Sequence, residues 1–165
     1  MLTGFMATGK SEVGRRLARA LGRTFVDTDR LVESTAGRSV AQVFAAEGEP
    51  AFRALERAAV ARACAMPDAV IATGGGTMMD AESRRLLSAA GPIVCLTASP
   101  ETILRRVGEG SSRPLLANAP DRLGKIRNLL EERATIYNAA TYTVDTTGLG
   151  VEQVVERVRD LVENG

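Results

Sequence analysis

The chain has 165 residues, with 21 Lys and Arg against 20 Asp and Glu for a net charge of +1, and it is 45% hydrophobic but only 4% aromatic. This is the make-up of a single soluble domain with a substantial core. Without a basic block or stacking aromatics it argues against nucleic acid as a partner, and no apolar run reaches membrane-spanning length. Histidine is absent, which excludes imidazole catalysis and histidine metal ligands, while Cys64 and Cys95 lack metal-ligand spacing and read as reduced thiols of a cytoplasmic protein.

Residues 1–3 leave room only for the end of a strand. Gly4-Phe5-Met6-Ala7-Thr8-Gly9-Lys10-Ser11 then fits G-x-x-x-x-G-K-[ST], the phosphate-binding P-loop. Glycines let successive backbone N–H groups turn toward a phosphate, and the following helix points its positive end at the same place. Lys10 is placed to reach the β- and γ-phosphates, and the Ser11 hydroxyl to ligate Mg²⁺. Lysine occurs only at positions 10 and 125, so a lysine-rich composition does not account for the match.

Ser11 to Leu21 reads as a helix with Val13, Leu17, Ala20 and Leu21 on its buried face and Gly22 as its stop. Thr24-Phe25-Val26 is a short strand running into Asp27-Thr28-Asp29, and a helix covers about 30–35. Ser39 to Gln42 forms a capping box for a helix ending at Gly48; Pro50 opens the next, to about Ala65, with Phe52, Leu55, Ala59 and Val60 inward. Ala69–Ala72 is a fully apolar run typical of a buried parallel strand, and it ends in Thr73-Gly74-Gly75-Gly76. Asp80 caps a helix to about Ala89, and Pro92–Leu96 is another buried strand. Ser99-Pro100-Glu101 has cap, first-turn proline and first-turn acid in the preferred places. Residues 108–120 lose periodicity and gain Gly, Ser and Pro, which suits a lid. A helix over 121–137, a strand over 141–144 and a helix over 151–162 complete the chain. Strands alternating with helices predict a single α/β domain over 1–165: five parallel strands, doubly wound, with helices on both faces.

Asp27 and Asp29 follow a strand's carboxyl end, where ligands bind open α/β sheets. One carboxylate suits a metal's water shell and the other a proton from a substrate hydroxyl; alternatively Asp29 simply caps the next helix. Gly74-Gly75-Gly76 allows close backbone approach to a ligand, or a tight turn. Arg53 and Glu56 share a helix face, so Glu56 either locks Arg53 in place or forms a solvated surface pair with it.

Taken together, GFMATGKS (4–11), FVDTD (25–29), GEPAFRALE (48–56), TGGGTM (73–78), SRPLL (112–116) and LLEERATIY (129–137) make the chain resemble a shikimate kinase from end to end. The resemblance implies ATP-dependent phosphorylation of the 3-hydroxyl of shikimate, a step of aromatic amino-acid biosynthesis, by a cytoplasmic monomer with sheet order 2-3-1-4-5. It implies an ATP site at Gly4, Ala7, Thr8, Gly9, Lys10, Ser11 and Glu12, with Arg106 flanking the adenine. Mg²⁺ is expected at Ser11 and, through water, at Asp27. Shikimate is expected against Asp29, Gly74, Gly75 and Gly76, its carboxylate clamped by Arg53 and Arg133, within a helical substrate region at about 29–60. Arg113 is expected to close over the transferring phosphate, which makes Lys10, Asp29 and Arg113 the catalytic set. One departure stands out: only Met1-Leu2-Thr3 precede Gly4, which predicts a nearly absent central strand. Two rivals remain: a related small P-loop kinase acting on gluconate or a nucleoside monophosphate, and a catalytically silent ATP-binding regulator.

Overall fold

The computed structural model describes residues 1–108, 115–116 and 119–164. Twelve principal elements alternate along them: β1 (Leu2–Gly4), α1 (Lys10–Ala20), β2 (Thr24–Asp27), α2 (Thr28–Ala36), α3 (Val40–Cys64), β3 (Ala69–Ala72), α4 (Ala81–Ala90), β4 (Val94–Thr97), α5 (Pro100–Val107), α6 (Arg122–Tyr137), β5 (Tyr142–Asp145) and α7 (Val151–Asn164). A single 3₁₀ turn at Thr77–Met79, not expected from the sequence, joins the glycine run to α4.

The five strands form one parallel sheet in the order β2-β3-β1-β4-β5. The central strand is short but present, contrary to the near absence expected of it. Leu2 pairs with Ala72 on one side, while Leu2, Thr3 and Gly4 pair with Val94, Cys95 and Leu96 on the other. Flanking bonds lengthen the ladder: Thr73 N–H donates to the Leu2 carbonyl and Val94 N–H to that of Met1. Three residues suffice because neighbours on both sides satisfy their backbone groups.

Side chains alternate across the sheet, so neighbours in one strand enter different cores. Val70, Val94 and Leu96 meet α1 and α7 through Val13, Leu17, Val154 and Val158. Ile71 and Val26 face Ala63 of α3. Cys95 faces Ile103 of α5 and Ile126 and Leu129 of α6. Helices therefore cover both faces.

Other expectations need correction, among them the strand expected over 141–144, which is Tyr142–Asp145. Ala20 is exposed, and the buried stripe of α1 is Val13, Gly14, Leu17 and Ala18. A Cβ at Gly14 would sit 2.6 Å from the Phe25 ring, so the helix lies too close to the sheet for a larger residue, and an apolar count passes over that position. The strand expected over 92–96 is Val94–Thr97; Pro92 has no N–H to enter a ladder and stands outside it. Ser39 makes the expected capping box, and α3 breaks at Gly48, whose φ of 78° lies outside the helical region.

Candidate functional site

The P-loop leaves the carboxyl end of β1, and Gly9, at φ 97°, turns the chain into α1 with no side-chain cap on its N-terminal N–H groups. N-terminal donors and the helix dipole favour an anion at this end of α1. Lys10 is buried, and its Nζ donates to the Phe5 carbonyl at 2.7 Å. Thr8 is also buried, its Oγ1 donating to the same carbonyl at 2.9 Å, so its side chain braces the loop from within. Gly4 has a reason of its own: it ends β1 at φ 131°, and a Cβ there would overlap the Leu96 carbonyl oxygen of β4.

Asp27, not Asp29, caps α2: its Oδ1 accepts from the N–H groups of Asp29 at 3.1 Å and Arg30 at 3.4 Å. Its Oδ2 accepts from the Ser11 hydroxyl at 2.6 Å. A hydroxyl beside a carboxylate at the mouth of a P-loop is a hard-oxygen set that suits a small divalent cation retaining much of its water. Glu12 lines the same mouth, its carboxylate held by Arg15 and Arg16 at 2.7 Å each; the Arg16 hydrogen bond is the largest influence keeping that carboxyl below its usual range.

Two cavities meet here. One, about 210 Å³, is walled by Ala7, Gly9, Lys10, Ser11 and Thr73. The other, about 220 Å³, is walled by Arg53, Glu56, Arg133 and Gly74–Gly76 on its polar side and by Val40, Phe44 and Phe52 on its apolar side. Met6, Asp29 and Gly75 line both, so Asp29 stands at the junction. The Gly74 Cα faces this crossing: a Cβ there would come 2.7 Å from Asp29 Oδ1, 3.0 Å from Glu56 Oε1 and 3.1 Å from Thr77 Oγ1. The glycine run therefore makes room for side chains as well as for a ligand.

Arg53 and Glu56 form the buried lock and not the solvated pair. Arg53 donates to Glu56 Oε2 at 2.6 Å, and Glu56 Oε1 accepts from the Thr77 hydroxyl at 2.7 Å, with the Glu56 side chain only 2% exposed. Burial alone would lower the pKa of the Arg53 guanidinium, but Glu56, with help from Glu49, outweighs it and raises it. Arg133, on α6, is buried; it donates to the Gly75 carbonyl at 3.0 Å and lies over the Phe5 ring, 5.4 Å from its centroid. Arg106 bridges the P-loop to the end of β5, donating to the Ala7 carbonyl at 3.3 Å and to the Thr146 hydroxyl and carbonyl at 2.9 Å each. Arg113 and most of the expected lid lie outside the described residues.

Sequence reasoning missed three contributors. Tyr137, one turn beyond Arg133, donates to the same Gly75 carbonyl at 2.7 Å, and burial pushes its phenol up. Thr77 anchors Glu56, and Thr28 Oγ1 accepts from Gly74 N–H at 3.2 Å. The i, i+4 spacing of Arg133 and Tyr137 was a signal available in the sequence.

A P-loop at the end of the central strand of a 2-3-1-4-5 sheet, opening onto a second cavity with two guanidinium groups, defines a small P-loop kinase. The family model described as Shikimate kinase matches residues 6–163. The chain belongs to the shikimate kinase family. A shikimate kinase of Caldanaerobacter subterraneus subsp. tengcongensis is 47% identical over 158 residues, covering 96% of this chain and 92% of its own. One from Deinococcus radiodurans is 48% identical, covering 95% of this chain and 79% of its own. Among solved structures, shikimate kinase from Acinetobacter baumannii in complex with shikimate superposes with a TM-score of 0.94 at 34% identity, covering 99% of this chain and 91% of the other. A gluconokinase from Sinorhizobium meliloti, 19% identical with a TM-score of 0.62, shares the fold alone.

Proposed function

We propose that the chain transfers the γ-phosphoryl group of ATP to the 3-hydroxyl of shikimate, releasing ADP and shikimate 3-phosphate, with Mg²⁺ as the divalent ion. The observation that carries this reading is the junction at Asp29. A mouth lined by P-loop residues meets a half-apolar pocket holding Arg53 and Arg133. Such a pocket suits a small ring with a carboxylate at one end and hydroxyls at the other.

In this reading Lys10 and the N–H groups from Gly4 to Glu12 hold the nucleotide phosphates, and Arg106 flanks the base. Ser11, directly, and Asp27, through water, would hold the metal ion, which when bound neutralises phosphate charge and orients the nucleotide. Arg53 and Arg133 take the carboxylate and fix which hydroxyl points at the junction. Asp29, with Gly74–Gly76 beside it, accepts that hydroxyl's proton as its oxygen attacks phosphorus. Arg113 joins Lys10 in meeting charge on the transferring group, and residues 108–120 exclude water as a lid. Little covalent chemistry falls to the protein; it positions and stabilises charge. The chain acts as one domain, with 29–60 as its substrate region, as a monomer in the cytoplasm; the free thiols of Cys64 and Cys95 support a reducing compartment.

A coupled ADP-release assay tests the reading with shikimate, gluconate and nucleoside monophosphates as acceptors. Turnover with shikimate alone is expected. Preferred turnover of gluconate or a nucleotide, or ATP binding with no acceptor-dependent ADP, would overturn it.

A further inference from the structure

Arg53 has three hydrogen bonds, and together they take up the part of the guanidinium that a carboxylate ligand needs. NH1 donates to Glu56. The remaining edge, Nε and NH2, donates at 3.2 and 3.1 Å to a single oxygen, Oε1 of Glu49. That Nε–NH2 edge is one of the paired-donor edges on which arginine binds a carboxylate in parallel. Two carboxylates on one guanidinium leave the cluster with a net negative charge, which opposes entry of an anion. The two are unequal: the Glu56 side chain is 2% exposed and anchored by Thr77, whereas that of Glu49 is 65% exposed and sits just after the break at Gly48. Only Glu49 can leave for water at little cost.

We propose that Glu49 is a displaceable internal counter-ion, occupying the Arg53 fork until the substrate carboxylate replaces it, and so setting the affinity for anionic acceptors. This rests on the reading of Arg53 as a carboxylate clamp. Glu49 lines the acceptor cavity, so its departure also enlarges that cavity. The arrangement has a use: it keeps stray small carboxylates off a fork that would otherwise stand open.

The test compares steady-state kinetics of the wild type with Glu49→Gln and Glu49→Ala, using shikimate and its carboxamide analogue as acceptors and acetate as an added competitor. Both variants are expected to lower KM for shikimate by about two- to fivefold, the scale of one partly exposed ion pair, with kcat and the KM for ATP within about twofold. KM for the carboxamide should barely move, and acetate should inhibit the variants at lower concentration than the wild type. An unchanged KM for shikimate in both variants overturns the proposal. A raised KM does so too, because it makes Glu49 a support for Arg53 and not its competitor. If the wild type does not phosphorylate shikimate, the proposed function fails first, and the two failures are thereby told apart.

Discussion

The Ser11 hydroxyl donates to Asp27 Oδ2 at 2.6 Å, while Asp27 Oδ1 caps α2 by accepting from Asp29 and Arg30. One carboxylate thus ties the start of α1 to the start of α2 and sets the first-turn position of Asp29. Its two jobs separate by substitution. Asparagine caps helices about as well as aspartate, so Asp27→Asn should change stability by less than about 0.5 kcal/mol, whereas Asp27→Ala should lose about 1 kcal/mol. Both remove the negative charge beside Ser11, so both should raise the Mg²⁺ concentration for half-maximal turnover by about ten- to a hundredfold. Melting curves and Mg²⁺ titrations check this; an unchanged Mg²⁺ requirement in Asp27→Asn removes the residue from the metal site.

The glycines of the loop differ in why they are there. Gly4 combines φ 131° with a Cβ position filled by the backbone of Leu96, which cannot yield without breaking the β1–β4 pairing. Gly9, at φ 97°, has Val13 Cγ2 at 3.7 Å as its nearest neighbour, so alanine there meets conformational strain without collision. Gly4→Ala should therefore cost more than about 3 kcal/mol, or prevent folding, whereas Gly9→Ala should cost about 1–2 kcal/mol and chiefly weaken ATP binding. Equal destabilisation of the two variants would refute the distinction. Ala7 already stands at φ 58°, so Ala7→Gly should add a few tenths to about 1 kcal/mol of stability.

Cys95 lies in the core, and burial pushes its thiol up to about 11 from an ordinary 9.0, with the nearby charge of Lys10 pulling the other way. Below the unfolded value both states keep the proton. Between the two values the unfolded chain releases it and the folded chain does not, so stability falls as pH rises through that window. Two pH units correspond to about 2–3 kcal/mol as an upper scale. Cys95→Ala should therefore show a flatter alkaline decline than the wild type, each scaled to its own stability at neutral pH. Denaturant melts across the window decide it; identical slopes would show that the thiol is not the group responsible.

Legibility followed physical scale. Local rules read well: the P-loop spacing, the Ser39 and Ser99 caps and the apolar runs of β3 and β4 each declare themselves within a few residues. Long-range closeness did not. Nothing local reveals that Gly14 must be small because Phe25 lies against it, or that Gly4 abuts Leu96. Nor does spacing reveal that Glu56 is buried under Thr77, which is what separates a lock on Arg53 from an ordinary surface pair. Whether Asp29 caps α2 was left open because a one-dimensional pattern fits either aspartate; the backbone geometry of Asp27 and its bonds to Asp29 and Arg30 N–H decide for Asp27.

The two guanidiniums that line the second cavity should respond alike in kinetics and differently in stability. Arg53 is held from the side by Glu56, and Arg133 from below by the Gly75 carbonyl and the Phe5 ring. Lysine keeps the charge in each case but offers no planar fork, so the paired bond to a carboxylate is lost. Arg53→Lys and Arg133→Lys should each cost roughly 1.5–3 kcal/mol in kcat/KM for shikimate, about ten- to a hundredfold, with KM for ATP nearly unchanged. Arg133→Lys should also lower the melting temperature, because Arg133 is buried and an ammonium gives up the guanidinium's bond to the Gly75 carbonyl and its place over the Phe5 ring. Arg53 is 24% exposed, and lysine there keeps a charge beside the buried Glu56, so Arg53→Lys should lower the melting temperature less. With the carboxamide of shikimate both kinetic losses should shrink, since the charge the guanidiniums answer is gone. If Arg53→Lys raises KM for ATP and leaves that for shikimate alone, the pocket holds something other than the acceptor's carboxylate, and a different acceptor becomes the better reading.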